Sequence, residues 1–195
     1  MFPEYIVLHT AAFTGKDCDR DMIDQWHKAR NWSGIGYHFV ILNDQHSQKV
    51  DGAIENGRAT NKAGAHALGL NGRSLGICCI GHGDKFDFTP AQYQSLYGLM
   101  QRLMIEFAIP VNKVIGHREL NDLAEQDIIS TRYRTSKSCP GNKIDMNFIR
   151  QQLANSDTSN VDETLDYTAE SRLAMTNAIT VYSNIDCNFL MRKMS

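Results

Sequence analysis

Tyr5-Ile6-Val7-Leu8-His9-Thr10 is the stretch on which the reading of this chain turns. A short run of aromatic and aliphatic residues between polar ends has the pattern of a buried strand. Such a strand delivers His9 at its end, where a side chain can project into a cleft. Val114-Ile115-Gly116 repeats the arrangement and delivers His117. Two neighbouring strands of this kind can present both imidazoles at one place.

Working outward, a helical pattern begins after Asp17 or Asp19, with Met22, Ile23, Trp26 and Ala29 on one face and Asp21, Asp24, Lys28 and Arg30 turned outward. Gly34 and Gly36 break it. Tyr37 to Leu42 then reads as a strand ending in the turn Asn43 to His46, with a partner strand returning near Lys49 to Ala53. Residues 57–73, rich in Gly, Asn and Ala, form a loop region running into a strand from Leu75 to Ile80. Long loops in compact domains are usually functional. Thr89-Pro90 is a capping residue followed by proline in the first turn, and Tyr93, Leu96, Met100, Leu103 and Phe107 continue as one apolar stripe up to Pro110. A charged loop follows from Arg118 to Ser138, and Ile144, Phe148 and Ile149 mark a last helix ending near Leu153. The fold class is therefore α/β, a mixed central sheet with helices on both faces and the cleft at one edge. One domain is expected over residues 1–153, with a linker and C-terminal extension of unknown role over 154–195.

With 42% hydrophobic and 22% charged residues in 195, the chain can bury one sizeable core. A net charge of -2 and an isoelectric point near 6.4 leave no electrostatic footprint for nucleic acid or an anionic membrane. No stretch approaches the roughly 18 apolar residues of a membrane span. The N-terminus lacks the basic and apolar regions of a secretory signal, so a cytoplasmic protein is expected, reaching any external target only with outside help. Five cysteines without a CxxC pair argue against a disulfide framework and a redox site. Cys78 and Cys79 lie inside an apolar run and read as small core residues. Cys139, before Pro140 and Gly141 in a polar loop, has no such explanation.

Catalytic zinc sites take three protein ligands from imidazole, thiolate or carboxylate and leave one position to water. His9, His117 and Cys139 could supply that set. On residues alone the case is modest, because the seven histidines are scattered and match no HExxH or finger spacing. A lone strand-end histidine is more often structural. Tyr37 alone reads as a half-buried strand aromatic and Lys137 as a solvated charge. His38, next to Tyr37, should face the other side of the sheet, His27 reads as structural, and His46 and His82 as surface loop residues.

The segments Val7-Leu8-His9-Thr10, Gln25-Trp26-His27, Gly36-Tyr37-His38-Phe39, Ala65-His66-Ala67, Asn71 to Gly76, Gly116-His117-Arg118 and Lys137-Ser138-Cys139-Pro140 occur in this order. Together they resemble the zinc-dependent N-acetylmuramoyl-L-alanine amidases, in the branch of bacteriophage lysozyme-type amidases and animal peptidoglycan recognition proteins. The resemblance covers residues 5 to about 153. It implies Zn2+ on His9, His117 and Cys139, and a zinc-activated water that cuts the amide between N-acetylmuramic acid and L-alanine. Tyr37 and Lys137 match the family's active-site tyrosine and lysine. A lysine stabilises the charge that builds on oxygen, and a tyrosine hydroxyl orients water or amide. His66, and more weakly Asn71, match the segment lining the substrate groove. The interval from His117 to Cys139 is longer than usual in that family, so an insertion falls within residues 121–136. Its charges, including Glu125, Asp127, Arg132 and Arg134, suit a lid, a groove wall or a solvated loop. Glu119 could support His117 without a catalytic part.

The implied partner is bacterial peptidoglycan, with no nucleic acid, no membrane insertion and a monomeric protein. The leading expectation is a phage endolysin. A cytoplasmic amidase recycling soluble muropeptides is the alternative within enzymes. A non-catalytic module that grips peptidoglycan is the alternative outside them, and such modules typically lack the cysteine retained here. Contact with the phage RNA polymerase, made by some phage relatives, is opposed by the very short arm before the first strand.

Overall fold

The computed structural model describes residues 1–156, so all but the first three residues of the expected extension lie outside the described residues. The elements run β1 (Tyr5–Thr10), α1 (Arg20–Lys28), β2 (Phe39–Ile41), β3 (Ile54–Asn56), β4 (Ser74–Cys79), α2 (Pro90–Phe107), β5 (Val114–Gly116), α3 (Leu120–Glu125) and α4 (Met146–Ser156). The five strands form one mixed sheet in the order β3-β2-β4-β1-β5. β1 is parallel to β4 and β5, β2 is parallel to β4, and only β3 is antiparallel.

Strand alternation divides the sheet into two unlike faces. Ile6 and Leu8 of β1, Leu75 and Ile77 of β4, Phe39 and Ile41 of β2 and Val114 of β5 meet Leu96, Leu99, Met100 and Leu103 of α2 and Ile149 and Leu153 of α4. Their neighbours point the other way into two separate groups. Tyr5, Val7 and Ile115 pack with Leu120, Leu123 and Ala124 of α3. Val40, Leu42, Cys78 and Ile80 pack with Ile23 of α1 and with Ile35. His9 belongs by alternation to this second face.

The helix ends follow local chemistry. Asp19 caps α1 by accepting from the amide of Met22. Thr89 and Gln92 form a reciprocal capping box on α2, whose C-terminus is closed by Ala108 in the left-handed region at φ 52°. No helix among the described residues is long and apolar enough to cross a membrane.

Several expectations need correction. The partner of β2 is β3 at Ile54–Asn56, not Lys49 to Ala53. Leu42 already accepts from Gly52, which turns the chain at φ +79°, and Lys49 is drawn instead between Asp19 and Glu55. The stretch from Arg118 to Ser138 is no plain charged loop. Leu120, Leu123 and Ala124, at helical spacing, are buried and build α3, and Ile129 joins them. Asn121 and Thr135 then exchange two hydrogen bonds, of 3.0 and 2.9 Å, that close the segment on itself. Phe148 faces solvent at 49% exposure, leaving Ile149 and Leu153 as the inner face of α4. His46 is in a loop as expected, but its side chain is covered, lying between the carboxylates of Asp17 and Asp19.

Candidate metal centre

The cleft does not sit at a sheet edge. β1 has a strand on each side, and His9 rises from its C-terminal end between the two small apolar groups of the second face. There a histidine is surrounded by the ends of several elements rather than covered by one helix.

His117 arrives on the single helical turn that follows β5, and Cys139 on the loop before α4. The ligand atoms of His9, His117 and Cys139 all lie within 4.8 Å of one another. His9 Nδ1 is 3.7 Å from Cys139 Sγ, and the His9 and His117 ring centroids are 4.8 Å apart. Burial holds His9 well below the usual imidazole range, assisted by His66, His117 and Lys137. Burial, with Lys137, lowers His117 to about 4. Burial raises the Cys139 thiol, against the pull of the Thr10 amide, Lys137 and Arg118. Neutral imidazoles with free lone pairs beside a thiol are what a divalent cation needs, and a bound cation would displace the thiol proton.

Tyr37 stands beside His9, ring centroids 5.0 Å apart. Burial pushes its hydroxyl well above the usual phenol range, so it is a neutral donor. The expected alternation between Tyr37 and His38 fails, because both lie on the side of His9. The carbonyls of His38 and Tyr37 accept from the consecutive amides of Gly57 and Arg58, which breaks the regular ladder before Phe39. His38 is structural: its Nδ1 accepts from the Gly76 amide at 2.9 Å, and its Nε2 is 3.1 Å from the Lys62 carbonyl. His27 likewise accepts from the Gly36 amide. Lys137 is exposed, with its charge close enough to act on His9, His117 and Cys139.

His66 and Asn71, expected to line the substrate groove, are both half-buried and held by contacts within the protein. The His66 ring lies against β4, where a Cβ on Gly76 would come within 2.6 Å of it, and its Nδ1 is 3.1 Å from His9 Nε2. Burial lowers it to about 3. Asn71 turns its side-chain oxygen inward, accepting from the amides of His66 and Ala67 at 2.8 Å each. Glu119 is a brace: it accepts from the Gly116 amide and forms a two-pronged pair with Arg150 of α4.

Arg118, next to His117, fastens the loop that carries Cys139. Its amide donates to the Cys139 carbonyl at 2.7 Å, and its guanidinium to the carbonyls of Ser138, Gly141 and Ile144 at 3.3, 2.7 and 2.8 Å. Asp84 holds the same loop through the Ser138 hydroxyl and the Asn142 amide. Neither link spans a sequence interval that periodicity could reveal.

A parallel-rich sheet with two histidines and a cysteine converging on one face defines a candidate metal-binding α/β protein. The chain belongs to the N-acetylmuramoyl-L-alanine amidase family, whose model matches residues 1–142. It is similar to the endolysin of Escherichia phage T7, 44% identical over 90 residues, which are 44% of this chain and 55% of that protein. It is similar to the peptidoglycan-recognition protein LB of Drosophila melanogaster, 31% identical over 132 residues, or 60% of this chain and 52% of that one. Among solved structures, the N-acetylmuramoyl-L-alanine amidase LysC from Clostridium intestinale URNW superposes with a TM-score of 0.62 and 33% identity, covering 78% of this chain and 86% of that one. The chain spans about half the length of the curated relatives it matches.

Proposed function

We propose that this protein is a zinc-dependent hydrolase of bacterial peptidoglycan, acting on the amide between N-acetylmuramic acid and L-alanine as a phage endolysin does. The observation that carries the reading is the convergence of His9, His117 and Cys139 within 4.8 Å. The donor set fits zinc. Bond lengths of about 2.1 Å to nitrogen and 2.3 Å to sulfur give a tetrahedral N···S edge of about 3.6 Å, and the His9 to Cys139 edge is 3.7 Å. Zinc held there would supply Lewis acidity, lowering the pKa of a water and polarising the scissile carbonyl.

The chain's own residues account for the rest. The Tyr37 hydroxyl, kept neutral by burial, orients water or amide by donating a hydrogen bond. The Lys137 ammonium faces the charge that develops on the carbonyl oxygen, an interaction that strengthens as substrate excludes water. Cytoplasmic residence until release to the wall belongs to the same proposal and is read by fractionating producing cells.

The test is incubation with purified sacculi, scored by new L-alanine amino groups and product masses, with zinc measured on the same sample. Release of intact stem peptides with one zinc per chain is expected. Cleavage undiminished after chelation would overturn the metal mechanism, and absence of free L-alanine amines with zinc bound would overturn the amidase reading in favour of a binding module.

A further inference from the structure

The His9 ring touches two different partners with its two nitrogens. Nδ1 faces Cys139 Sγ at 3.7 Å, and Nε2 faces His66 Nδ1 at 3.1 Å. A neutral imidazole has one N–H and one lone pair. Only the tautomer with its proton on Nε2 leaves Nδ1 free to donate electrons on the Cys139 side, and that proton then needs an acceptor. We propose that His66 is this acceptor, a positioning residue that fixes the tautomer and ring angle of His9 through its Nδ1 lone pair. The inference rests on the reading of His9 as a metal ligand.

The surroundings of His66 are built for that placement. Asn71 gathers the amides of His66 and Ala67 on one oxygen and accepts nothing from outside the loop among its described bonds, while its carbonyl takes the Gly64 amide at 2.9 Å. The ring needs two absent side chains. A Cβ on Gly76 would approach it to 2.6 Å, and one on Gly64 to 2.4 Å. The ring planes stand 88° apart with centroids 5.1 Å apart, and the nitrogens approach to 3.1 Å, within reach of an N–H···N hydrogen bond. Ligand histidines that lose the partner of their second nitrogen typically lose about 10–100-fold in metal affinity.

The experiment compares wild type, His66→Asn and His66→Phe as full-length chains. Asparagine places an oxygen near the former Nδ1, whereas phenylalanine keeps the ring without an acceptor. Zinc affinity is measured by competition with a chromophoric chelator, the visible spectrum by cobalt substitution, and the His9 tautomer by nitrogen NMR on the zinc-loaded wild type. Expected are a proton on His9 Nε2, affinity for His66→Asn within about 3-fold of wild type, and a loss of about 10–100-fold with a changed cobalt spectrum for His66→Phe. Wild-type His9 protonated on Nδ1, or His66→Phe binding as tightly as wild type, would overturn the proposal. Equal losses in both variants, with fold intact by circular dichroism, would overturn it as well. The underlying metal reading fails separately, if wild type binds no zinc or Cys139→Ala binds it equally well.

Discussion

The two faces of the sheet are made by the same strands and do opposite things. In β1, Ile6 and Leu8 disappear into the apolar layer under α2 and α4, while Val7 and His9 turn to the face where that layer is split into two groups. The first face has apolar partners throughout and carries cohesion. On the second, apolar packing stops short of the middle, and buried histidines, a tyrosine and a cysteine occupy the gap. Burial without apolar contact is costly unless polar atoms find partners; here His9 meets His66 and Cys139, while His38 and His27 take backbone amides. Stability and chemistry are thereby assigned to opposite sides of one sheet.

That division can be broken by experiment. Cys139→Ala should have the largest effect, a loss of cleavage on the order of 10³-fold together with loss of zinc, because Lewis acidity supplies several kcal/mol to the reaction. Its apo form should melt close to zinc-free wild type in calorimetry, since Cys139 belongs to none of the buried apolar groups. Leu103→Ala, on the opposite face, should lower stability by about 2–5 kcal/mol in denaturant titration, with zinc per folded molecule unchanged. Loss of zinc there would show that the faces are coupled. Lys137→Ala should reduce kcat by about 10²-fold with zinc retained, and a change confined to KM would move the lysine from charge stabilisation to substrate holding.

Acid should weaken the fold through His38. Its pKa is lowered by burial, and its Nδ1 is already occupied by the Gly76 amide. A lowered histidine pKa contributes stability that is present above the unfolded value near 6.5 and is lost as pH falls towards the folded value. The slope is up to about 1.4 kcal/mol per pH unit in that window. Unfolding at pH 7, 6 and 5 reads it, and His38→Asn, which keeps an acceptor near Nδ1, should reduce the slope by the His38 share, leaving that of His9, His27, His66 and His117. The smallest effect expected is about 1 kcal/mol for Thr89→Ala, which removes the α2 cap while leaving cleavage at 25 °C unchanged.

What sequence could show followed from local pattern. The apolar run before His9, the Thr89-Pro90 start of α2 and the ordered motifs are legible because each depends on residues within a few positions. What escaped depends on contacts across long intervals. The contact of His66 with His9 spans 57 positions. No spacing rule shows that a histidine quoted for a groove also touches a metal-ligand candidate. The break in alternation at Tyr37 was hidden for a similar reason: it is caused by how the chain returns at Gly57 and Arg58, not by anything in Tyr37-His38. The helical spacing of Leu120, Leu123 and Ala124 in α3 is masked by the eight charged residues spread over 118–138.

The hold of Arg118 on the Cys139 loop bears on how such a protein can diversify. His117 and Cys139 are tied together at the base of the intervening segment, by the 2.7 Å bond from the Arg118 amide and by the guanidinium beyond it. What lies between is divided: Leu120, Leu123, Ala124 and Ile129 are part of the packing beside β1 and β5, whereas Glu125 to Ile128, Arg132 and Arg134 face solvent. Doubling such a loop adds only about 0.6 kcal/mol of closure entropy. Its exposed turns are thus places where a lineage, or a designer, can change length and charge, provided the buried positions and Lys137 are kept.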